Sequence, residues 1–237
     1  MIITDSAKRP SERFIEVVSN YFLSEGYEFK KSEKSFIRES EKGFEKVYLQ
    51  FFTTVNLVSV SIAWSINLLT LEKIFAAFKG EPKKYKNSIS LYTHLPIHTR
   101  WAIPKVNHTW DLFDNTTFRC DDLVLNKAAE GIIDAYKKYV LRFFQFYDNY
   151  ENLEQILNGL PIKSTPFAMG HLGYSKQAAF GLFLAKYFDR PNFKSLVDEY
   201  KKLATSLPSD MALELKDIIH KTQEFLNTNN INEVLAP

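Results

Sequence analysis

Apolar residues recur every three or four positions over residues 11–25, where Phe14, Val17, Val18, Tyr21 and Phe22 share one side. That spacing predicts an amphipathic helix. Pro10 precedes it, Ser11 has the chemistry of an N-cap, and Gly26 suits the position just past the end. The rhythm then changes to short segments of strand character. Residues 27–31 and 35–39 flank a polar turn at 32–34, and a second turn at 41–43 leads into residues 44–53. The clearest strand covers 57–66, where Val58, Val60, Ile62, Trp64 and Ile66 alternate with Ser59, Ser61, Ala63 and Ser65. A period of two held this long predicts one buried face, and the small polar face is expected to meet water. Connections this short force antiparallel pairing. A helix is predicted at 71–78, entered from Thr70 and ending near Gly80. Alternation returns at 88–95, with Ile89, Leu91 and Leu95 inward and Ser90, Tyr92 and His94 outward.

Residues 96–118 carry no regular pattern, and Pro96, Pro104 and the Asn/Thr-rich stretch 114–117 argue against a helix or central strand there. From Asp121 onward the period becomes 3.6. Leu125, Ala129, Ile132, Tyr136, Val140, Phe143 and Tyr147 define one stripe of a long helix. Further helices are predicted at 151–158, at 176–188 with Ser175 as N-cap, at 193–206, and at 210–226. In the last, Leu215, Ile218, Ile219, Thr222 and Leu226 face inward and His220 lies beside them in a structural role. The tail from 227 is polar. Strands segregated from helices indicate an α+β fold, with an N-terminal helix and antiparallel sheet followed by a mostly helical C-terminal half. The expected organisation is a sheet region over 1–118 and a helical region over 119–237, packed together as one continuous domain.

Composition narrows the function classes. The chain has 237 residues, enough to bury a sizeable core without disulfide or metal. Twenty Phe, twelve Tyr and three Trp predict a ring-rich interior. Thirty basic and 28 acidic residues give a net charge of +2, which argues against a nucleic-acid partner, since such proteins concentrate basic charge. The densest basic stretch, Lys79 to Lys86, reads as a solvated turn. A lone cysteine, Cys120, excludes an intrachain disulfide, and the first ten residues lack an apolar signal core. No run reaches the length of a membrane span. Together these place the chain in the cytoplasm, away from the membrane.

Candidate chemistry concentrates between 92 and 120, where three of the five histidines and two of the three tryptophans fall. Tyr92, His94, His98, Arg100, Trp101, His108 and Trp110 are the candidate ligand-binding residues, because pockets combine apolar walls with a few convergent polar groups. Pro96 separates His94 from His98 and keeps them off a shared helical face, so no metal site and no cofactor are expected. Cys120 lies within reach of a histidine base in sequence but in no hydrolase-like context. The segment 169–176, M-G-H-L-G-Y-S-K, sets two glycines and His171 before a helix, where free N–H groups attract anions. It lacks the spacing of a phosphate-binding loop.

The pieces Gly26–Tyr27, Lys30–Lys31, Phe36–Arg38, Val47–Leu49–Gln50 and Val58–Val60 resemble those of an uncharacterised bacterial domain family. Its members join an amphipathic helix ending in G-[FY] to a basic turn, an F-x-R strand and an alternating V-x-V strand. The resemblance covers residues 1–95, implies the helix-plus-sheet architecture, and brings no catalytic residue with it. The functional expectation is a non-catalytic interaction protein of the bacterial cytoplasm, comparable by fold-level analogy to immunity proteins, which sequester a protein partner. The alternative is an enzyme or small-molecule binder with its pocket between the sheet and the 96–118 loop.

Overall fold

The structure, a computed structural model, describes residues 10–53, 57–81, 83–94, 101–104, 122–159, 173–230 and 233. Their order is α1 (Pro10–Ser24), β1 (Glu28–Lys30), β2 (Ser35–Ser40), β3 (Gly43–Thr53), β4 (Leu57–Leu68), α2 (Leu69–Phe78), β5 (Leu91–His94) and β6 (Trp101–Pro104). Then come α3 (Asp122–Ala135), a π-helical turn (Tyr136–Val140), α4 (Leu141–Tyr147), α5 (Tyr150–Leu157), α6 (Tyr174–Tyr187), α7 (Phe193–Thr205) and α8 (Ser209–Thr228). The fold is α+β as the spacing predicts: an N-terminal helix, an antiparallel sheet, then a mostly helical half. The strand order is β1-β2-β3-β4-β5, with β6 paired to β4.

Two compact units interleave along the chain. The first comprises Met1–Glu39, Glu45–Trp64 and His94–Arg142, and the second Ser40–Phe44, Ser65–Thr93 and Phe143–Pro237.

In the first unit, Phe14, Val18 and Phe22 recur every fourth residue of α1 and are fully buried. Pro10 opens the helix, where its missing N–H costs nothing, and Ser11 falls inside the first turn. At the other end the Tyr27 N–H reaches back to the Phe22 carbonyl across Gly26, whose φ of 83° is the left-handed conformation that closes a helix. β1 and β2 then pair antiparallel, Phe29 opposite Phe36, across a 3-10 turn ended by left-handed Lys34. α1 packs on α3. Phe22 stacks on Phe36 at 4.5 Å and meets Tyr136 edge-on at 5.2 Å. Tyr136 begins the π-helical turn, a distortion that recurs at functional sites and at strained positions alike.

In the second unit, α6 is buried almost all round from Gln177 to Ala185. Its residues pack with Leu196, Val197 and Tyr200 of α7 and with Leu215 and Ile219 of α8. Each fully buried leucine or isoleucine here contributes about 2 kcal/mol relative to exposure. Phe78, Phe183 and Phe225 form a ring cluster, the first two stacked at 5.7 Å. Gly181 lets α6 approach its neighbours. A Cβ there would lie 2.5 Å from both the Tyr200 hydroxyl and the Asn158 Oδ1.

Several expectations need correcting. The small polar face of β4 does not meet water: Ser61, Ala63 and Ser65 are as buried as Ile62, Trp64 and Ile66. Small side chains permit close packing on that face as readily as solvation. The stretch 96–118 contains β6, which pairs Trp101–Pro104 antiparallel with residues 60–57 of β4. Pro104 sits at the last position of that strand, where a missing donor is tolerated. Ile89 is 40% exposed and Ser90 1% exposed, the reverse of the predicted faces. Regular alternation starts only at Leu91, and the Ser90 hydroxyl is drawn inward by two hydrogen bonds. The stripes of the C-terminal helices hold: Leu125, Ala129, Ile132, Tyr136, Val140, Phe143 and Tyr147 are buried, as are Leu215, Ile218, Ile219, Thr222 and Leu226.

Candidate functional site

Of the residues singled out in sequence, Tyr92 is half-buried on β5, His94 ends that strand, and Trp101 opens β6. His98, Arg100, His108 and Trp110 lie outside the described residues, as do Cys120 and His171. Among the described residues, no group of three or more His, Cys, Asp or Glu side chains could hold a metal ion. Three hydrogen-bonded networks, one half-buried and two buried, and three surface concavities stand out among the described residues.

The first network lies in the unit containing α1. Arg38 donates to Glu45 Oε2 from Nε at 2.9 Å and from Nη2 at 2.5 Å, and to the Glu25 carbonyl at 3.0 Å. Its guanidinium lies over the Tyr27 ring at 4.8 Å. The Tyr27 hydroxyl donates to the same Glu45 oxygen at 3.1 Å, which leaves Tyr136, 3.3 Å away, to donate to Tyr27. Burial pushes Tyr27 far above the ordinary phenol range, and the Glu45 charge adds to it. Burial likewise raises Tyr136, and Tyr21 is pushed up to about 12 by burial and by the Glu25 carboxylate. These phenols are hydrogen-bond donors that stay protonated at neutral pH, which suits them to holding Glu45 rather than to acting as bases.

The other two networks belong to the second unit. Glu72, buried on α2, accepts from Lys176 Nζ at 2.8 and 3.0 Å and from the Ser90 hydroxyl at 2.7 Å. Lys176 gives its third contact to the Ile89 carbonyl at 3.0 Å and lies over Phe75 at 5.4 Å. Glu154, buried on α5, accepts from Arg190 Nε at 3.1 Å and from Asn158 Nδ2 at 2.9 Å. Asn158 also donates to the Gly181 carbonyl at 2.9 Å, and the Tyr200 hydroxyl lies 3.0 Å from both the Leu157 carbonyl and Asn158 Oδ1. Burial raises the Tyr200 phenol strongly. In both networks each buried charge faces an opposite charge and further hydrogen bonds, the condition for tolerating it in the interior.

The concavities are open to the surface. A groove of about 410 Å3 runs beside α1, with Glu12, Ile15 and Glu16 on the helix and Phe29, Lys31 and Lys34 across from them. A second, of about 400 Å3, lies between α7 and α8, where Lys201, Lys216 and His220 stand over Ile219. His220 is exposed and 3.3 Å from Glu224, so it is not the structural residue its position beside the stripe predicts. The third, of about 240 Å3, is lined by Phe75 and Lys79, by Gly173 to Lys176 at the start of α6, and by Met211 and Glu214 of α8. Sequence reasoning reached the third through the segment before α6 and missed the first. Its signal was present: Glu12 and Glu16, one turn apart, flank Ile15 on the side of α1 turned away from the buried stripe. In the basic stretch 79–86, Lys79, Lys83, Lys84 and Lys86 are exposed as expected, with Lys79 paired to Glu214 and Lys84 to Glu81.

No family model, no curated protein and no solved structure matches this chain. No described helix is long and apolar enough to cross a membrane.

Proposed function

We propose that this chain is a non-catalytic binding protein of the bacterial cytoplasm, and that its partner is another protein. The groove beside α1 carries the reading. Ile15 and Phe29 supply an apolar floor, with two carboxylates on the helix wall and two ammonium groups on the opposite wall. An apolar centre inside a charged rim is the anatomy of a protein–protein contact. The groove suits an extended partner segment that seats an apolar side chain on Ile15 and Phe29 and presents an acidic group toward Lys31. The buried networks support the same reading, since Glu45, Glu72 and Glu154 are each committed to partners within the fold.

The test compares the intact chain with the double variant Ile15→Glu, Lys31→Glu, after confirming equal thermal midpoints. Both are immobilised and exposed to lysate of the source bacterium, and captured proteins are quantified by mass spectrometry. The reading expects a protein enriched by the intact chain and reduced about tenfold or more by the variant, then bound in purified form by calorimetry. Identical captured sets for the two chains would overturn it.

A further inference from the structure

We infer that the partner binds by strand addition: an extended segment of the order acid-any-apolar pairs antiparallel with the open edge of β1 and lays its side chains in the groove beside α1. This inference rests on the protein-partner reading above and supplies its binding mode.

The backbone gives the first reason. The sheet runs β1-β2-β3-β4-β5, so β1 is an end strand. It pairs with β2 on one side, and among the described residues no strand pairs on the other. The N–H and C=O groups of successive strand residues point to opposite edges, so part of the β1 backbone faces outward. A peptide satisfies such groups by becoming the next strand. α1 packs against β1 and forms the far wall of the groove with Glu12, Ile15 and Glu16. An added strand there gains a hydrogen-bonding edge and a wall for its side chains together.

Register decides the side chains. Phe29 lies opposite Phe36, and their rings meet at 5.0 Å. Phe36 in turn stacks on Phe22 of α1, so Phe29 is on the face of the sheet that α1 covers. Glu28 and Lys30 project from the other face, where they pair with each other at 3.3 Å. A residue added opposite Phe29 therefore points toward α1 and meets Phe29 and Ile15, both half-buried, so an apolar side chain belongs there. Two residues along, the added strand returns to the same face beside Lys31. Lys31 is exposed and makes no ion pair among the described residues, so an acidic side chain belongs at that position. In a strand added antiparallel, as β2 is on the other side, the residue facing Lys31 precedes the one facing Phe29, which gives the order acid-any-apolar. β1 is only three residues long, so the pairing is brief and these two side chains supply the selectivity.

The experiment titrates the full 15N-labelled chain with the peptide acetyl-S-T-E-T-I-T-S-amide, read by two-dimensional amide NMR. Saturable shifts are expected at Glu28, Phe29 and Lys30. The reversed peptide, acetyl-S-T-I-T-E-T-S-amide, has the same composition and charge and should bind about tenfold more weakly. Two further peptides carry a methyl group on the backbone nitrogen of the isoleucine or of the threonine before it. Those two N–H groups face opposite edges, so one peptide should lose about tenfold and the other stay within about threefold of the parent. Lys31→Glu should weaken the parent peptide about fivefold or more, and lysine in place of the peptide's glutamate should recover the loss. No saturable shift at β1, equal binding of the two sequence orders, equal effects of the two methyl groups, or no recovery by the charge exchange overturns strand addition. So does a concentration-dependent dimer of the chain alone, seen by sedimentation and abolished by Ile15→Glu, which would give the edge to a second copy. In each of these cases, lysate capture that depends on Ile15 and Lys31 would still support a protein partner, so the two readings fail separately.

Discussion

Replacing Lys176 by methionine removes the only cation that contacts Glu72 among the described residues, and Glu72 is a carboxylate that is 1% exposed. At an effective dielectric of ~20, unit charges 2.8 Å apart attract by about 6 kcal/mol. Taking both ions out of water costs several kcal/mol each, so the pair as a whole contributes little net stability. Removing one partner is different, because the other stays behind with its desolvation uncompensated. For Lys176→Met the orphan is Glu72, held among the described residues by the Ser90 hydroxyl alone, and a loss of about 3–5 kcal/mol is expected. For Glu72→Gln the orphan is Lys176, whose side chain keeps 17% exposure, the Ile89 carbonyl and the face of Phe75. That cation can still reach water along its flexible stem, so the loss falls to about 1–2 kcal/mol. The double variant Glu72→Met, Lys176→Met removes both charges and should cost less than Lys176→Met alone. Urea unfolding followed by circular dichroism gives the three values, and hydrogen exchange of peptides from α2 and α6 locates the loss. Glu72→Gln costing as much as Lys176→Met, or additive single losses in the double variant, would refute the argument.

Gly181→Ala forces a Cβ to within 2.5 Å of Tyr200 and Asn158, and about 1–3 kcal/mol should be lost. Adding Tyr200→Phe removes one of the crowding atoms, so the pair should be less destabilised than the sum of the two single losses by denaturant unfolding. Tyr27→Phe takes a donor from Glu45 and the acceptor from Tyr136, with an expected loss of about 1–2 kcal/mol in the same assay. The raised phenols of Tyr21, Tyr27, Tyr136 and Tyr200 make stability fall at alkaline pH. Unfolded tyrosine loses its proton near 10, before these folded residues do, so their contribution is complete below about 10 and declines as pH rises toward 12 and beyond. Ultraviolet titration should therefore show the exposed phenols ionising first and a second set ionising with unfolding. A single titration step near 10 with native circular dichroism would contradict it.

The fold class was legible because apolar spacing reports it directly. Phe14, Val18 and Phe22 mark the inner face of α1, and the stripe from Leu125 to Tyr147 marks a helical run whose π-helical turn leaves it continuously buried. What spacing does not report is whether a second face is covered. Ser59, Ser61, Ala63 and Ser65 carry the same small, polar signal whether they meet water or a closely packed neighbour, and Ser61 and Ser65 are in fact enclosed. Buried ion pairs were illegible for a related reason. Glu72 and Lys176 are 104 residues apart, and nothing local to either marks the other. The aromatic and histidine residues 92–110 drew attention through composition alone, which brings residue types together in sequence without placing them in space.

Helix entry shows most sharply where local chemistry and the folded chain part company. Ser11, Thr70 and Ser175 each have the composition of an N-cap, yet each lies inside its helix. Composition marks a residue that could cap but not the turn at which the chain enters the helix, so α6 starts at Tyr174, one residue before Ser175, with Gly173 in the cap position and no side-chain cap.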